Sequence, residues 1–222
     1  MKIIAHIRTD FPTKFGIPRQ SGLAETAGTV VFLPEYRNPD ALRGIEEFSH
    51  LWLLWDFSGA HRTDWSPTVR PPRLGGNERR GVFATRSPFR PNPIGLSCVR
   101  LCGVRHTEHE GDVLDVCGAD LMDGTPLFDI KPYLPYTDAH PEATSGFAGP
   151  AFGRRLAVSI PPELLSVLPC AKRAPLAAIL AEDPRPSYQD DPARVYGMPY
   201  AGYDIRFTVA DGVLTVRDIL PL

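Results

Sequence analysis

The chain of 222 residues lacks most of the features that would assign it to a common class. No apolar run approaches membrane-spanning length, and the aromatic-rich one at 51–54 is broken by Asp56. The opening residues Met1-Lys2-Ile3-Ile4-Ala5-His6-Ile7-Arg8 turn polar too soon for a secretory signal. A soluble, cytoplasmic protein without a membrane partner is expected. Cys98, Cys102, Cys117 and Cys170 show no CxxC spacing, so reduced and mostly buried thiols are expected. His106 and His109 lie in a short polar stretch between apolar runs, which reads as a hairpin tip, and no metal site is expected. There is no G-x-G-x-x-G after a strand and no P-loop, which argues against a doubly wound nucleotide fold. No internal repeat is present. The 24 prolines are dispersed, which indicates loops and not a disordered tract.

What is present is a normal globular composition, 43% hydrophobic and 23% charged, with one unusual segment. The run Arg79-Arg80-Gly81-Val82-Phe83-Ala84-Thr85-Arg86-Ser87-Pro88-Phe89-Arg90-Pro91-Asn92-Pro93-Ile94-Gly95-Leu96-Ser97 carries three prolines. Each fixes its own φ and holds the residue before it extended, so Ser87, Arg90 and Asn92 have preset directions. A loop stiffened in this way loses less entropy on binding. Between Arg70 and Arg105 there are eight arginines, no lysine and one acid, Glu78. That block is formally +7 in a chain of −2, leaving −9 elsewhere. A basic block in an acidic protein points to an anionic partner, and exclusive use of arginine suits phosphate or carboxylate forks and base stacking. A proline-rich connector with solvated arginines is the plainer reading.

Branched and aromatic residues predict strands over 3–8, 29–33, 49–57, 82–85, 94–104, 113–118 and 127–130. One helix interrupts them, capped by Asn38, with Pro39 at its first position and Asp40 near its positive end, running to about Phe48. Many short strands without alternating helices predict a mainly β protein, an antiparallel β-barrel or sandwich. The barrel domain is placed at 1–143 and a linker at 144–153. A small α+β domain at 154–222 would hold helices over 161–168 and 175–182. Its hairpin, 202–209 with 213–219, turns at Asp211-Gly212. With few apolar residues, this second unit is expected to pack on the first domain or on a partner chain.

Two further rigid loops carry polar groups: Phe15-Gly16-Ile17-Pro18-Arg19-Gln20-Ser21-Gly22, and Asp123-Gly124-Thr125-Pro126. After the second, Asp129, Lys131 and Tyr133 alternate and so share one strand face, which is either solvated or functional. Asp183-Pro184-Arg185-Pro186-Ser187-Tyr188 is another rigid presentation of Arg and Tyr, suited to stacking on bases.

Taken together, these segments resemble the TrmO (YaeB, TsaA-like) family. The resemblance rests on Ile17-Pro18-Arg19-Gln20, Phe48-Ser49-His50-Leu51-Trp52, Val69-Arg70-Pro71-Pro72-Arg73-Leu74-Gly75-Gly76-Asn77, the long run from Gly81 to Gly95, Asp123-Gly124-Thr125-Pro126, Asp129-Ile130-Lys131-Pro132-Tyr133 and the 183–188 segment. It covers nearly the whole chain. It implies an S-adenosylmethionine-dependent tRNA adenine-N6 methyltransferase on a β-barrel, acting as a homodimer with cofactor sites near the subunit interface. The implied substrate is the N6-threonylcarbamoylated adenosine 3′ of the anticodon in threonine tRNA, met in the anticodon stem-loop. The implied cofactor contacts are Pro18, Arg19, Gln20, His61, Arg62, Arg86, Leu96, Asp123, Gly124, Thr125 and Pro126. The family's catalytic residue does not carry over from these motifs. From their placement, Asp129 is the candidate proton acceptor, Tyr133 an orienting or stacking group, and Lys131 a contact to the threonine carboxylate. Two other readings remain open at this level: a non-catalytic RNA-binding barrel, and an S-adenosylmethionine-using enzyme with a non-RNA acceptor.

Overall fold

The computed structural model describes residues 1–71, 78–151, 155–185 and 191–222. The predicted linker at 144–153 and the segments 69–77 and 183–188 fall partly outside these residues. So does Arg73.

The first half of the chain supplies strands β1 (Ala5–Thr9), β2 (Ala27–Phe32), β3 (His50–Asp56), β4 (Thr68–Val69), β5 (Arg80–Gly81), β6 (Ile94–Thr107), β7 (Gly111–Cys117) and β8 (Thr125–Pro132). Six of them close an antiparallel barrel in the order β1-β2-β7-β6-β3-β8, and β4 pairs with β5 apart from it. Strict alternation decides which side chains enter. In β3, Leu51, Leu53 and Trp55 are buried while His50, Trp52, Leu54 and Asp56 lie on the other face. They meet Ala5, Ile7, Val30, Phe32, Val99, Leu114, Val116 and Leu127 in one core.

Three local expectations need correction. The helix over 38–48 is two 3₁₀ turns, Pro39–Leu42 and Ile45–Glu47. Asn38 does cap the first, its side chain accepting from the Asp40 N–H, but Gly44 at φ +84° reverses the chain between them. The predicted strand at 82–85 is a 3₁₀ turn, Val82–Ala84. Finally, Cys102 and Cys117 are joined in a disulfide. The register of β6 on β7 shifts between Leu101 and Gly103, so Cys102 is the extra residue there, close to Cys117, which pairs with Arg100. Cys98 is half-buried and Cys170 exposed, both as free thiols.

The second half begins with a short helix, α1 (Pro135–Asp138), and then β9 (Ala157–Ser159), α2 (Pro162–Val167) and α3 (Cys170–Ala181). Strands β10 (Tyr196–Tyr200), β11 (Tyr203–Ala210) and β12 (Val213–Pro221) follow. The sheet order is β10-β11-β12-β9, with β9 parallel to β12. Helix α3 starts earlier than its pattern suggests, at the residue after Pro169, and takes Pro175 inside. Its buried face, Leu176, Ile179 and Leu180, packs on Met198, Tyr200, Ile205 and Phe207.

This core also includes Phe11 and Ala24, with Phe15 and Ile17 against it. The 11–24 segment of the barrel half is therefore built into the core of the second half. Lys172 Nζ donates to Asp10 Oδ2 at 2.6 Å and Arg19 Nη2 to the Asp183 carbonyl at 3.1 Å, which fasten the same contact. At Gly16, with φ +92°, an added Cβ would collide with the Met198 side chain. Gly16→Ala is expected to lower unfolding free energy by about 1–3 kcal/mol, from the positive φ and the lost fit to Met198, measured by urea denaturation at equal ionic strength.

Candidate active site at the mouth of the barrel

A cavity of about 280 Å³ opens where β3 ends and β6 and β8 begin. Its walls come from four places. Ile17, Pro18, Arg19 and Gln20 form one side; Trp55 to Ala60 follow β3; Arg86 and Pro88 come from the stiff loop; Leu96, Asp120, Met122 and Thr125 close the far side. The 17–20 loop is held against the barrel just beyond Gln20, where Ser21 Oγ accepts from the Cys98 N–H at 3.1 Å and the Gly22 N–H donates to the Gly118 carbonyl at 2.9 Å. Arg86 Nη1 donates to Gln20 Oε1, which ties the stiff loop to this one.

The sequence-predicted positions separate into groups. Pro18, Arg19, Gln20, Arg86, Leu96 and Thr125 share the cavity. His61 and Arg62 line an adjoining depression with Trp65, Phe89 and Arg90. His61 Nε2 lies 2.7 Å from Asp56 Oδ1, so it borders the cavity through that carboxylate. Asp123 and Gly124 border a different depression, with His6, Arg8 and Glu110. The reason is the turn itself: Asp123 Oδ1 accepts from the Thr9 N–H at 2.9 Å, and Gly124 at φ +76° swings the chain so that Thr125 faces inward. Pro126 pairs with His6 across β1 and so points opposite to Thr125.

Asp129, Lys131 and Tyr133 do stand together on the outer face of β8, outside the cavity lining. Lys131 Nζ is 3.1 Å from Asp129 Oδ2, and the Tyr133 ring leans on Trp52 and His50 at 5.7 and 6.2 Å. Across the sheet Asp129 is level with Leu54, and Leu54 with Leu96, which places Asp129 about 10 Å from Leu96 at two strand spacings.

The residue that sequence reasoning missed is Asp120. It sits in a run of buried neighbours, Ala119 and Leu121, and its side chain turns into the cavity wall. Trp55 Nε1–H donates to Ser97 Oγ at 3.0 Å, and the Ser97 hydroxyl donates to Asp120 Oδ1 at 2.5 Å. Burial pushes the Asp120 carboxyl above the usual carboxylate range, against the opposing pull of Ser97, of the Arg86 charge and of backbone N–H groups including that of Ser21. A polar residue enclosed by an apolar run just before a turn is the sequence signal that would have found it.

Residues 6–139 match the tRNA-methyltransferase O N-terminal domain, and residues 155–222 match the TrmO C-terminal domain. The chain belongs to the TrmO family. It is 42% identical over 228 residues to the tRNA (adenine(37)-N6)-methyltransferase of Escherichia coli K12, covering 98% of this chain and 96% of that one. To a putative S-adenosylmethionine-dependent methyltransferase, RcsF, of Pseudomonas aeruginosa PAO1 it is 44% identical over 220 residues, covering 92% and 90%. A crystal structure of TrmO from Pseudomonas aeruginosa superposes with a TM-score of 0.77 at 36% identity, over 98% of this chain and 96% of that one. TrmO-family membership makes the chain an S-adenosylmethionine-dependent tRNA (adenine-N6) methyltransferase.

The cavity fits that cofactor in the chemistry of its walls. Ile17, Trp55, Leu96 and Met122 offer apolar surface for a purine, Arg19 and Arg86 suit a carboxylate, and Asp56 and Asp120 suit cationic groups. Arg86→Ala should weaken S-adenosylmethionine binding by about 1.5–3 kcal/mol, the usual worth of a charge-assisted hydrogen bond; titration calorimetry on the folded variant checks it.

Proposed function

We propose that the methyl acceptor is the adenosine immediately 3′ of the anticodon, already carrying an N6-threonylcarbamoyl group, in the anticodon stem-loop of threonine tRNA. We further propose that the enzyme works in the cytoplasm as a homodimer. The observation that carries the RNA placement is the depression beside the cavity. Trp65 and Phe83 stack with ring centres 5.9 Å apart, yet remain 50% and 70% exposed. The Arg90 guanidinium lies 6.0 Å from the Phe83 ring centre and that of Arg62 3.7 Å from Phe89. Exposed aromatics framed by guanidinium groups take unpaired bases, the form in which an anticodon loop presents itself. Arg79 and Arg80 continue the basic surface toward backbone phosphates. The position of the acceptor adenine is supported by the name of the Escherichia coli relative. The homodimer is supported by Leu96, which is 52% exposed on the rim of the cavity, where a second subunit would cover it.

In this reading Pro18, Arg19, Gln20, Arg86, Leu96 and Thr125 hold the cofactor, with His61 and Arg62 at one rim. Asp123, Gly124 and Pro126 serve through the turn that aims Thr125. S-adenosylmethionine supplies an electrophilic methyl group on a sulfonium. The protein has to place N6 in line with it and remove one proton, and positioning accounts for much of the rate. The N6 proton of a threonylcarbamoyl adenine lies between a purine and a carbonyl, so a weak base suffices. Asp129 is assigned that role. Its carboxylate is held by Lys131 at 3.1 Å. A threonine carboxylate arriving at Lys131 draws the ammonium away and frees Asp129, which couples recognition of the earlier modification to proton removal. Tyr133, braced by Trp52, orients the base.

Single-turnover methyl transfer to modified and unmodified tRNA tests this. Asp129→Asn should lower turnover by about 10²–10⁴-fold with little change in cofactor affinity. Lys131→Ala should mainly weaken binding of threonylcarbamoylated tRNA. Wild-type rates for Asp129→Asn would return this face to a structural role. Affinity for tRNA should fall steeply with added salt, and neutralising Arg79 and Arg80 should flatten that slope. Trp65→Ala should weaken tRNA binding by about 1–3 kcal/mol while leaving the salt slope intact, because stacking releases no counterions.

A further inference from the structure

The cavity wall holds two carboxylates, and that of Asp56 is taken up by His61 Nε2 at 2.7 Å. Asp120 forms no ion pair among the described residues, and Arg86 acts on it only through its field. A carboxylate removed from water without a counter-ion is costly to keep. This one is nevertheless held in place with care. The Ser97 hydroxyl has its acceptor side occupied by the Trp55 indole N–H and so must donate to Asp120 Oδ1. The backbone N–H of Ser21, at the base of the 17–20 loop, also favours the charged form. These donors aim a fixed negative charge at the cavity and bring it beside the Trp55 ring.

The donor S-adenosylmethionine carries two cations, an α-ammonium and a sulfonium. An ammonium has N–H groups and finds partners among carbonyls or water. A sulfonium has none, so the protein can favour it only through charge and polarisable surface. A part-buried carboxylate next to an indole supplies both. The neighbouring Met122 and Leu96 leave little else on that wall for an ammonium to bond. We propose that Asp120 is the specificity residue that distinguishes the sulfonium donor from its thioether product. The attraction exists while sulfur is positive and is lost once the C–S bond has broken and its electron pair remains on sulfur. Asp120 therefore stabilises the bound donor more than the transition state. Removing its charge therefore raises KM for the donor, leaves the affinity for S-adenosylhomocysteine nearly unchanged and does not lower kcat.

This inference rests on the cavity being the cofactor site, and the experiment separates the two. Equilibrium binding of three probes to the full-length protein is compared: S-adenosylmethionine, S-adenosylhomocysteine, and sinefungin, which bears an ammonium where the sulfonium stands. Asp120→Asn keeps the acceptor for Ser97 and removes the charge. It should weaken S-adenosylmethionine and sinefungin by about 10- to 100-fold, the loss of one charge-assisted contact, and leave S-adenosylhomocysteine nearly unchanged. In steady state the loss of kcat/KM for the donor should sit in KM. Equal weakening of all three probes would place Asp120 on the shared amino-acid end and overturn the proposal. So would a loss confined to kcat, which would make Asp120 a base. If Asp120→Asn does not fold, Ser97→Ala, which releases the carboxylate from its aim, should lower the ratio of donor to product affinity; an unchanged ratio overturns the proposal. Should Arg86→Ala also leave all three affinities intact, the cavity itself is not the cofactor site.

Discussion

The mouth of the barrel depends on one close approach, the Trp55 ring lying against Gly95. A Cβ at residue 95 would fall inside the indole. Glycine there lets Trp55 fold inward from β3 and rest on Phe57 with ring centres 4.1 Å apart. Only in that pose does its N–H meet Ser97, and only then is the Ser97 hydroxyl committed to Asp120. The next residue along, Leu96, must point outward by the alternation of β6, and it becomes part of the rim. One missing methyl group thus lets three successive residues, Gly95, Leu96 and Ser97, receive the Trp55 ring, form the rim and hold the Asp120 carboxylate.

The cavity and the basic surface are two faces of the same stiff loop. Arg86 and Pro88 face the cavity, whereas Phe89, Arg90, Pro91 and Pro93 line the adjoining depression. The prolines fix the turn between them, so a movement at one face is transmitted to the other. That shared backbone gives a physical route by which the cavity and the adjoining depression can sense each other. The Arg62 guanidinium over Phe89 and the Asp56–His61 pair make the same junction on the opposite bank.

Much of this was legible in the sequence because it rests on local rules. Alternation in β3 and β6, the Asn38 cap, the Asp211-Gly212 turn and the proline-stiffened loop are all written within a few residues. What could not be read depends on register or distant contact. Gly44 splits a helix whose composition favours one. The Cys102–Cys117 bond exists because β6 slips against β7 at that level. Asp123 and Thr125 are neighbours in sequence, but Asp123 is taken up by Thr9 and only Thr125 reaches the cavity. Asp120 carries no motif; its importance comes from Ser97, which is remote in sequence, and from the depth of the wall around it.

The placement of Phe11, Phe15, Ile17 and Ala24 in the second hydrophobic core has a consequence for how the chain matures during synthesis. These residues leave the ribosome early, together with Pro18, Arg19 and Gln20. Their packing partners Met198, Ile205, Phe207 and Ile219 emerge last. The barrel can close once β8 is made and hold the 11–24 segment by its Ser21 and Gly22 hydrogen bonds, but the apolar side chains of that segment stay uncovered until β10 to β12 are made. A chain lacking those strands would therefore hold a formed barrel with a 17–20 loop fastened on one side only. The 17–20 loop thus gains its full support only when β10 to β12 are in place.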